Sequence, residues 1–389
     1  MSPLANSYVK ADELNQMEPF YPLHVRVCDA CFLVQLEAAA TPEVIFSDYA
    51  YFSSYSDSWL AHARAYTDTV TRRFGLNNAS RVVEVASNDG YLLQYFAAKG
   101  IPVLGIEPAK NVAAAAVQRD IPTLVRFFGE DLARDLAADG KRADLIIGNN
   151  VLAHVPELNG FVCGLEILLA PTGVITLEFP HLMRLMEENQ FDTIYHEHFS
   201  YFSLITVRNL FARHGLAVFD VEELPTHGGS LRIYACHRED TSKPAGERVG
   251  ALLSREKKAG FTKLEHYLSF GQQVEETKRK LLNFLITAKS AGSSVVGYGA
   301  PAKGNTLLNY CGVGTDFVDY TVDRSPHKQG RFLPGTHIPI YHPDRIRESR
   351  PDYLLILPWN LSEEITEQMS CIRKWGGRFV VPIPEVRVL

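Results

Sequence analysis

Two histidines, a glutamate, two tyrosines and two serines fall within the nine residues YHEHFSYFS, positions 195–203. Histidine titrates near neutrality, a neighbouring carboxylate can hold its ring and stabilise the imidazolium, and a phenol can donate to a developing oxyanion. His198, Glu197 and Tyr195 are therefore a candidate proton-transfer set. Two other readings stand beside it. His196 and His198 flank a glutamate as in a fragment of a metal site, although the spacing is not that of the HExxH helix and no third ligand is nearby. The stretch could also be an interior aromatic strand, at the cost of giving every buried polar group a partner. In a regular strand Tyr195 and Glu197 face away from His198, so convergence of the three requires an irregular backbone.

A second group lies in VVEVASNDGYLL, residues 82–93, with Glu84, Ser87, Asn88, Asp89 and Gly90. A turn that cradles a dinucleotide needs several glycines, and this one has a single glycine among polar side chains, so its ligand carries no phosphate there. About twenty residues on, Glu107 and Pro108 end the run GIEP, where a carboxylate can accept from both ribose hydroxyls. Together these features describe an S-adenosylmethionine pocket, whose carboxylates also suit a cationic sulfonium ligand. Asn149 and Asn150 follow the run ADLIIG and would close that pocket, with His154 one turn further on. The plainer alternative is that Asn88 and Asp89 only cap a helix.

A third group is GYGAPAKG, residues 297–304, where Tyr298 ends a strand-like run and Lys303 opens a helix-like one. Backbone amides there, with Lys303, could meet a diphosphate. Arg324, His327 and Lys328 in DRSPHKQGR add cationic donors for the same anion if the loops converge, and a solvated loop otherwise. Cys28 and Cys31 are the one closely spaced pair among six cysteines, which are too dispersed for a disulfide framework.

The elements needed to hold these groups are legible. RVVEVA, IPVLGIE, ADLIIGNNV and GVITLEFP are short β-branched runs separated by helical patterns, which predicts a parallel sheet covered on both faces. LITVRNLFARHG reads as a helix, and LAVFDVEEL and SLRIYACH as two more strands of that sheet. After a linker at 239–247 and a charged amphipathic region to about residue 290, SSVVGYGA, FVDYTVD, THIPIY, DYLLILPW and RFVVPI predict a second α/β unit. The expected division is a small lobe at 1–74, a central domain at 75–238 and a carboxy-terminal α/β domain at 239–389. A chain of 389 residues is long enough for more than one core.

With 46% hydrophobic residues and no apolar run long enough to span a bilayer, the composition is globular, and a soluble protein with no membrane partner is expected. The net charge of −6 is modest and the basic residues are scattered, which argues against nucleic acid as a partner. MSPLANSYVKADELNQ has neither a signal nor a transit pattern, so a cytoplasmic location is expected. Nothing in the pattern sets an oligomeric state.

The chain resembles the bacterial nucleotide-sugar C-methyltransferases, of which the dTDP-deoxysugar carbon-3 methyltransferases of antibiotic pathways are the best understood. The stretches that carry the resemblance include PLHVRVCDACFLVQL, YFSSYSDSW, VVEVASNDGYLL, NNVLAHVPELNGF, FDTIYHEHFSYFSL, THGGSLR, GYGAPAKGNTLLNYC, DRSPHKQGRFLPGTHIPI and LILPWN, spread from about residue 20 almost to the end. The resemblance implies a class I, Rossmann-like S-adenosylmethionine methyltransferase domain, a second Rossmann-like α/β domain that helps bind a nucleotide sugar, and a small zinc-bearing amino-terminal lobe. It places the general base at His198, with Tyr195, Glu197 and His154 beside it. The implied substrate is a dTDP-linked 4-keto sugar, whose carbon 3 is acidified by the carbonyl, and Tyr49, Tyr51 and Tyr55 could serve as a lid or simply pack between domains. Family members carry two CxxC pairs that complete a zinc site, whereas this chain has only Cys28 and Cys31. Either His24 or another residue substitutes, the pair is a metal-free remnant, or the chain is an altered or truncated form; no tightly bound zinc is expected. Rival functions are methylation of an oxygen or a non-sugar carbon acid, a nicotinamide-dependent sugar oxidoreductase built on GYGAPAKG, and a silent sugar-nucleotide-binding protein.

Overall fold

The computed structural model describes residues 1–39, 41 and 52–389, so Tyr49 and Tyr51 lie outside the described residues. The chain forms two compact units, neither of them continuous in sequence. One comprises Val27–His181 and Phe199–Thr262; the other comprises Met1–Arg26, Leu182–His198 and Lys263–Leu389. The units thus cut across the three contiguous ranges expected from sequence. The first 26 residues and the YHEH stretch both pack with the carboxy-terminal part of the chain.

A short strand β1 (Val25–Val27) follows the amino-terminal segment, and β2 (Val34–Leu36) comes next. Helix α1 (Asp57–Phe74) starts at Ser56, whose hydroxyl accepts the Trp59 N–H, and ends at Gly75 in a left-handed conformation. The seven-stranded sheet of this unit is built from β3 (Val82–Val85), β4 (Val103–Ile106), β5 (Thr123–Leu124), β6 (Ala143–Asn149), β7 (Leu169–Pro180), β9 (Leu216–Leu224) and β10 (Ser230–His237). Their spatial order is β5-β4-β3-β6-β7-β10-β9, with β10 antiparallel to both neighbours and β3 to β7 parallel. The crossovers are α2 (Leu93–Ala97), α3 (Lys110–Val117), α4 (Glu130–Ala138) and α5 (Leu158–Leu168).

Alternation along the strands explains why both faces are covered. Val82, Leu145 and Ile147 face a core with Tyr66, Val70, Leu92 and Phe96, while Val83, Val85 and Ile146 face another with Leu132, Phe161, Val207 and Phe211. The chain order reverses between β3 and β6, which places the ligand-binding crevice beyond the carboxyl ends of β3, β4 and β6.

Helix α6 (Leu182–Glu187) belongs to the segment that leaves this unit at His181 and re-enters it at Phe199. Strand β8 (Ser200–Tyr201) then pairs antiparallel with β2, and α7 (Leu204–Arg213) and α8 (Glu247–Ala259) pack on the sheet. Glu256, fully buried, accepts the N–H groups of Leu204 and Ile205 at 2.7 and 2.8 Å and meets His181 Nε2 at 2.8 Å, so one carboxylate satisfies the start of α7.

The other unit begins its carboxy-terminal part with the 27-residue helix α9 (Leu264–Ser290). Its sheet has the order β13-β12-β11-β14-β15-β16, from β11 (Val295–Tyr298), β12 (Thr321–Val322), β13 (Ile340–Tyr341), β14 (Tyr353–Ile356), β15 (Arg378–Val381) and β16 (Arg387–Val388). All pairings are parallel except the last. Helix α10 (Ala302–Cys311) follows β11, and α11 (Arg345–Ser349) and α12 (Ser362–Gln368) complete the layers. Gly304 lets α10 lie against the end of β14, since a Cβ there would meet the Leu357 Cβ at 2.7 Å. Phe191 and Ile194 of the inserted segment and Tyr8 of the amino-terminal segment pack into this unit's apolar core. No helix among the described residues is long and apolar enough to cross a membrane.

Candidate active site

In the central unit, the residues after β3, β4 and β6 gather as the sheet topology requires. Ala86 and Asn88 adopt positive φ (56° and 49°), so the turn from Ala86 to Gly90 is held by its surroundings rather than by backbone preference. Gly105 allows this, because a Cβ on β4 would stand 2.5 Å from Ser87 Oγ. The Glu107 carboxylate accepts the N–H of Asn88 at 3.0 Å and that of Ala109 at 2.9 Å, which ties the ends of β3 and β4 together. Pro108 bends the chain between Glu107 and α3. Burial raises the Glu107 pKa against those two donors. Glu84 is also wholly buried and is pushed well above the ordinary range, first by desolvation and then by Glu107, with a Tyr91 hydrogen bond opposing and Asp89 adding to the rise.

Asn149 Nδ2 lies 3.4 Å from the Tyr91 hydroxyl, and Asn150, at φ 54°, places its amide 3.2 Å from His227 Nε2. His154 ends the short turn Leu152–His154 just beyond them. Asp89 is completely buried with Oδ2 ion-paired to Arg119 at 3.2 Å and hydrogen-bonded to Ser54, while Oδ1 has no partner among the described residues. Ser53 donates its N–H to Asn88 Oδ1 at 2.9 Å. The buried Asn150 Oδ1 also lacks a partner among the described residues. Clustered carboxylates, an unpartnered carboxylate oxygen and an unpartnered amide oxygen fit a ligand that is cationic and rich in N–H and O–H donors, which is the chemistry of S-adenosylmethionine.

Sequence reasoning missed a polar network beside these residues. Glu178, at the end of β7, is bonded by Arg232 at 2.6 Å, His62 at 3.0 Å and the Thr226 hydroxyl at 2.8 Å. The Trp59 ring stacks on His62 at 4.9 Å and on Tyr91 at 6.0 Å, and meets His227 edge-on at 5.4 Å. The only hints were the runs DSWLAH and THGGSLR, because the partners lie on α1, β7 and β10 and cannot be paired from spacing. Tyr55, one of the expected lid tyrosines, is 75% exposed and packs on Phe52.

In the other unit, residues 195–198 form a turn closed by the His198 N–H to the Tyr195 carbonyl at 2.9 Å, so the irregular backbone that convergence requires is present. The Tyr195 and His198 rings lie 4.2 Å apart. His198 Nδ1 is 3.0 Å from the Thr193 carbonyl, a pairing in which only an N–H can serve, so Nδ1 carries a proton and, in the neutral ring, the lone pair is on Nε2. Glu197 is 7% exposed, accepts from Asn6 Nδ2 at 2.5 Å, and is pushed up to about 7 by burial, with the Asn6 donor opposing. His196 points elsewhere, with Nε2 3.1 Å from the Pro22 carbonyl and its ring edge-on to Tyr21. Asp192, three residues before Tyr195, accepts from Trp359 Nε1 at 2.7 Å and pins the segment to the carboxy-terminal sheet's loops.

Lys303 stands in the first turn of α10, donates to Asn360 Oδ1 at 2.7 Å and lies 4.2 Å from the Trp359 ring centre. Burial lowers its pKa to about 8 against the attraction of Asp192. Tyr298 is buried and donates to Gln368 at 3.3 Å. Arg324 and His327 are exposed, whereas the Lys328 ammonium turns inward to the Ala300 carbonyl at 2.9 Å and to Asp323 at 3.5 Å.

Cys28 and Cys31 form a knuckle. The Cys28 sulfur accepts N–H groups from Cys31 and Ala30, which lowers its pKa, and Phe32 turns the chain at φ 60°. Two thiols supply two of the four donors a structural zinc needs, and no group of three or more His, Cys, Asp or Glu among the described residues could hold a metal. The described residues do not complete such a site, and no chemical step is assigned to a metal.

Family models match in three places: a zinc binding domain over residues 1–46, a methyltransferase domain over 58–221, and a C-methyltransferase C-terminal domain over 225–384. The chain is 37% identical over its whole length to C-methyltransferase NovU of Streptomyces niveus, covering 92% of that protein. A ubiquinone biosynthesis O-methyltransferase of Rhodopseudomonas palustris is 26% identical over 118 residues, 28% of this chain and 46% of that one. Among solved structures, magnesium protoporphyrin IX methyltransferase of Synechocystis with bound S-adenosylmethionine aligns at a TM-score of 0.35 and 16% identity, over 50% of this chain and 88% of that one.

Proposed function

Since the chain belongs to the C-methyltransferase family and is an S-adenosylmethionine-dependent methyltransferase, we propose that its acceptor is a nucleotide-linked keto-deoxysugar, dTDP-linked, methylated at the carbon next to the carbonyl. The observation that carries the chemistry is the tautomer of His198. With Nδ1–H committed to the Thr193 carbonyl, Nε2 is the basic nitrogen.

His198 Nε2 takes the hydrogen from the carbon beside the ketone, and the released electron pair moves onto the ketone oxygen as an enolate. Tyr195 donates to that oxygen. When bound, S-adenosylmethionine supplies an electrophilic methyl on a sulfonium; the enolate carbon takes it and the sulfur leaves as a neutral thioether. In the central unit, Glu107 accepts from the ribose hydroxyls, and Glu84, Ser87, Asn88, Asp89, Gly90, Asn149 and Asn150 surround the cationic remainder. In the other unit, the N–H groups at the start of α10, with Lys303, Arg324 and His327, hold the diphosphate, while Lys328 braces the loop beneath.

The test follows deuterium and then methyl. With a dTDP-linked 4-keto-deoxysugar in D2O and no methyl donor, the wild type exchanges the α-hydrogen; adding the donor places a methyl on that carbon, both read by NMR. His198→Asn loses both reactions yet binds S-adenosylmethionine in calorimetry. A methyl on oxygen, or undiminished exchange in the variant, would sink the assignment.

A further inference from the structure

The segment Met1–Arg26 packs in the same unit as the Tyr195–His198 turn. It is tied down at several points. Ser2 and Tyr21 exchange backbone hydrogen bonds, Val9 does the same with Phe332, and Glu18 accepts from the Gly335 N–H at 2.8 Å and pairs with His337 at 2.9 Å. Between these anchors stand two polar side chains with no role so far. Asn6 donates to Glu197 Oε1 at 2.5 Å. The Tyr8 hydroxyl donates to the Ala300 carbonyl at 2.6 Å and lies 3.2 Å from Asn6 Oδ1. Lys328 lies over the Tyr8 ring at 5.3 Å and donates to the same Ala300 carbonyl, and Asp323 accepts the Ala300 N–H at 2.8 Å.

We infer that Asn6 is a positioning residue of the proton-transfer turn: it orients the Glu197 carboxyl and favours its ionised form, and Tyr8 and Lys328 hold Asn6 in place against the loop that opens α10. The inference rests on reading YHEH as that turn. A carboxyl buried this deeply prefers to be neutral, and a directed N–H donor is what keeps the anion accessible near neutral pH. The titratable groups around it are Tyr8 from the amino-terminal segment, Lys328 and Asp323 behind Tyr8, and Tyr195, His196 and His198 on its own turn. An ionised Glu197 on the same turn as His198 stabilises the imidazolium that forms when the base takes a proton.

Removing the donor raises the Glu197 pKa further, so the active form appears only at higher pH. Two measurements on the full chain test this. The first is the pH profile of α-hydrogen exchange in a dTDP-linked 4-keto-deoxysugar. Its acid limb combines protonation of the base, His198, with that of Glu197; the Glu197 component, absent in Glu197→Gln, should move about one pH unit upward in Asn6→Ala, about a tenfold loss of rate below neutral pH that is recovered in alkali. Asn6→Ala placed on Glu197→Gln should add nothing. The second needs no substrate. Thermal unfolding of wild type relative to Glu197→Gln should lose stability as pH rises through about 7, and Asn6→Ala should displace that transition upward. Tyr8→Phe, which keeps the ring and removes the hydroxyl, should displace it by less. An unmoved limb and an unmoved unfolding transition, or additive effects in the double variant, would overturn the role of Asn6. Exchange absent from the wild type while the unfolding transition still moves would instead refute the proton-transfer reading and leave Asn6 as a purely structural partner of Glu197.

Discussion

Arg232→Met is the sharpest probe of the network that braces the central unit's site. Glu178 is fully buried, and burial by itself would raise its pKa. The His62 hydrogen bond, the Arg232 charge and the Thr226 hydroxyl outweigh that and hold it at about 2, against an ordinary 4.5. At about 1.4 kcal/mol per pH unit, the native environment favours the ionised carboxylate by about 3 kcal/mol. A depressed carboxyl pKa contributes stability above the unfolded value, and that stability is lost as pH falls through the folded one. Removing the guanidinium strands a buried charge, which costs about 3–5 kcal/mol. Methionine keeps the stem against Tyr66, whose ring centre lies 4.5 Å from the guanidinium. Because a chain of two units need not unfold as one, the assay is amide hydrogen exchange on peptides covering β7 and β10. Protection there should fall about a hundredfold at pH 7.5, and the ratio to wild type should narrow at pH 5, where the stranded carboxyl takes up a proton. Protection within threefold of wild type at pH 7.5, or a ratio indifferent to pH, would refute the reasoning.

Glu107→Gln should weaken S-adenosylmethionine binding about tenfold or more by calorimetry; because the Asn88 and Ala109 N–H groups are held by different Glu107 oxygens and glutamine keeps only one acceptor, a modest loss of stability should accompany it, with the circular dichroism spectrum unchanged. Lys303→Met should lower dTDP affinity at pH 7. In the wild type that affinity should decline as pH rises through about 8, where the ammonium loses its proton, and the variant's affinity should show no such decline. Glu256→Gln should cost about 2 kcal/mol, read as lost amide-exchange protection in peptides covering α7 and α8, because the Leu204 and Ile205 N–H groups sit on different Glu256 oxygens and glutamine keeps only one acceptor.

Strand periodicity around β3, β4, β6 and β7, and the polar single-glycine turn after β3, were readable because they are local. Alternation with period two and a turn of fixed length need no knowledge of distant residues. The same holds for the strand and helix start around GYGAPAKG. The candidate chemistry of YHEH was nameable by residue type, and the irregular backbone that convergence would need was deducible from the strand geometry it had to avoid.

What residue order left open are the pairings between residues far apart in sequence. Asn6 meets Glu197 across 191 positions, Arg232 meets Glu178 across 54, and Trp359 meets Asp192 across 167. The first and third exist because burial of apolar faces brings the amino-terminal segment, the 182–198 insertion and the carboxy-terminal sheet into one unit, and the second because β10 pairs with β7 in the seven-stranded sheet. The sequence by itself determined which groups could titrate and which strand ends could bind a cofactor. The tertiary structure decided which Glu197 oxygen receives a donor, which nitrogen of His198 holds the proton, and that Lys328 braces a loop, because dielectric, hydrogen-bond geometry and neighbouring charge are properties of the packed chain.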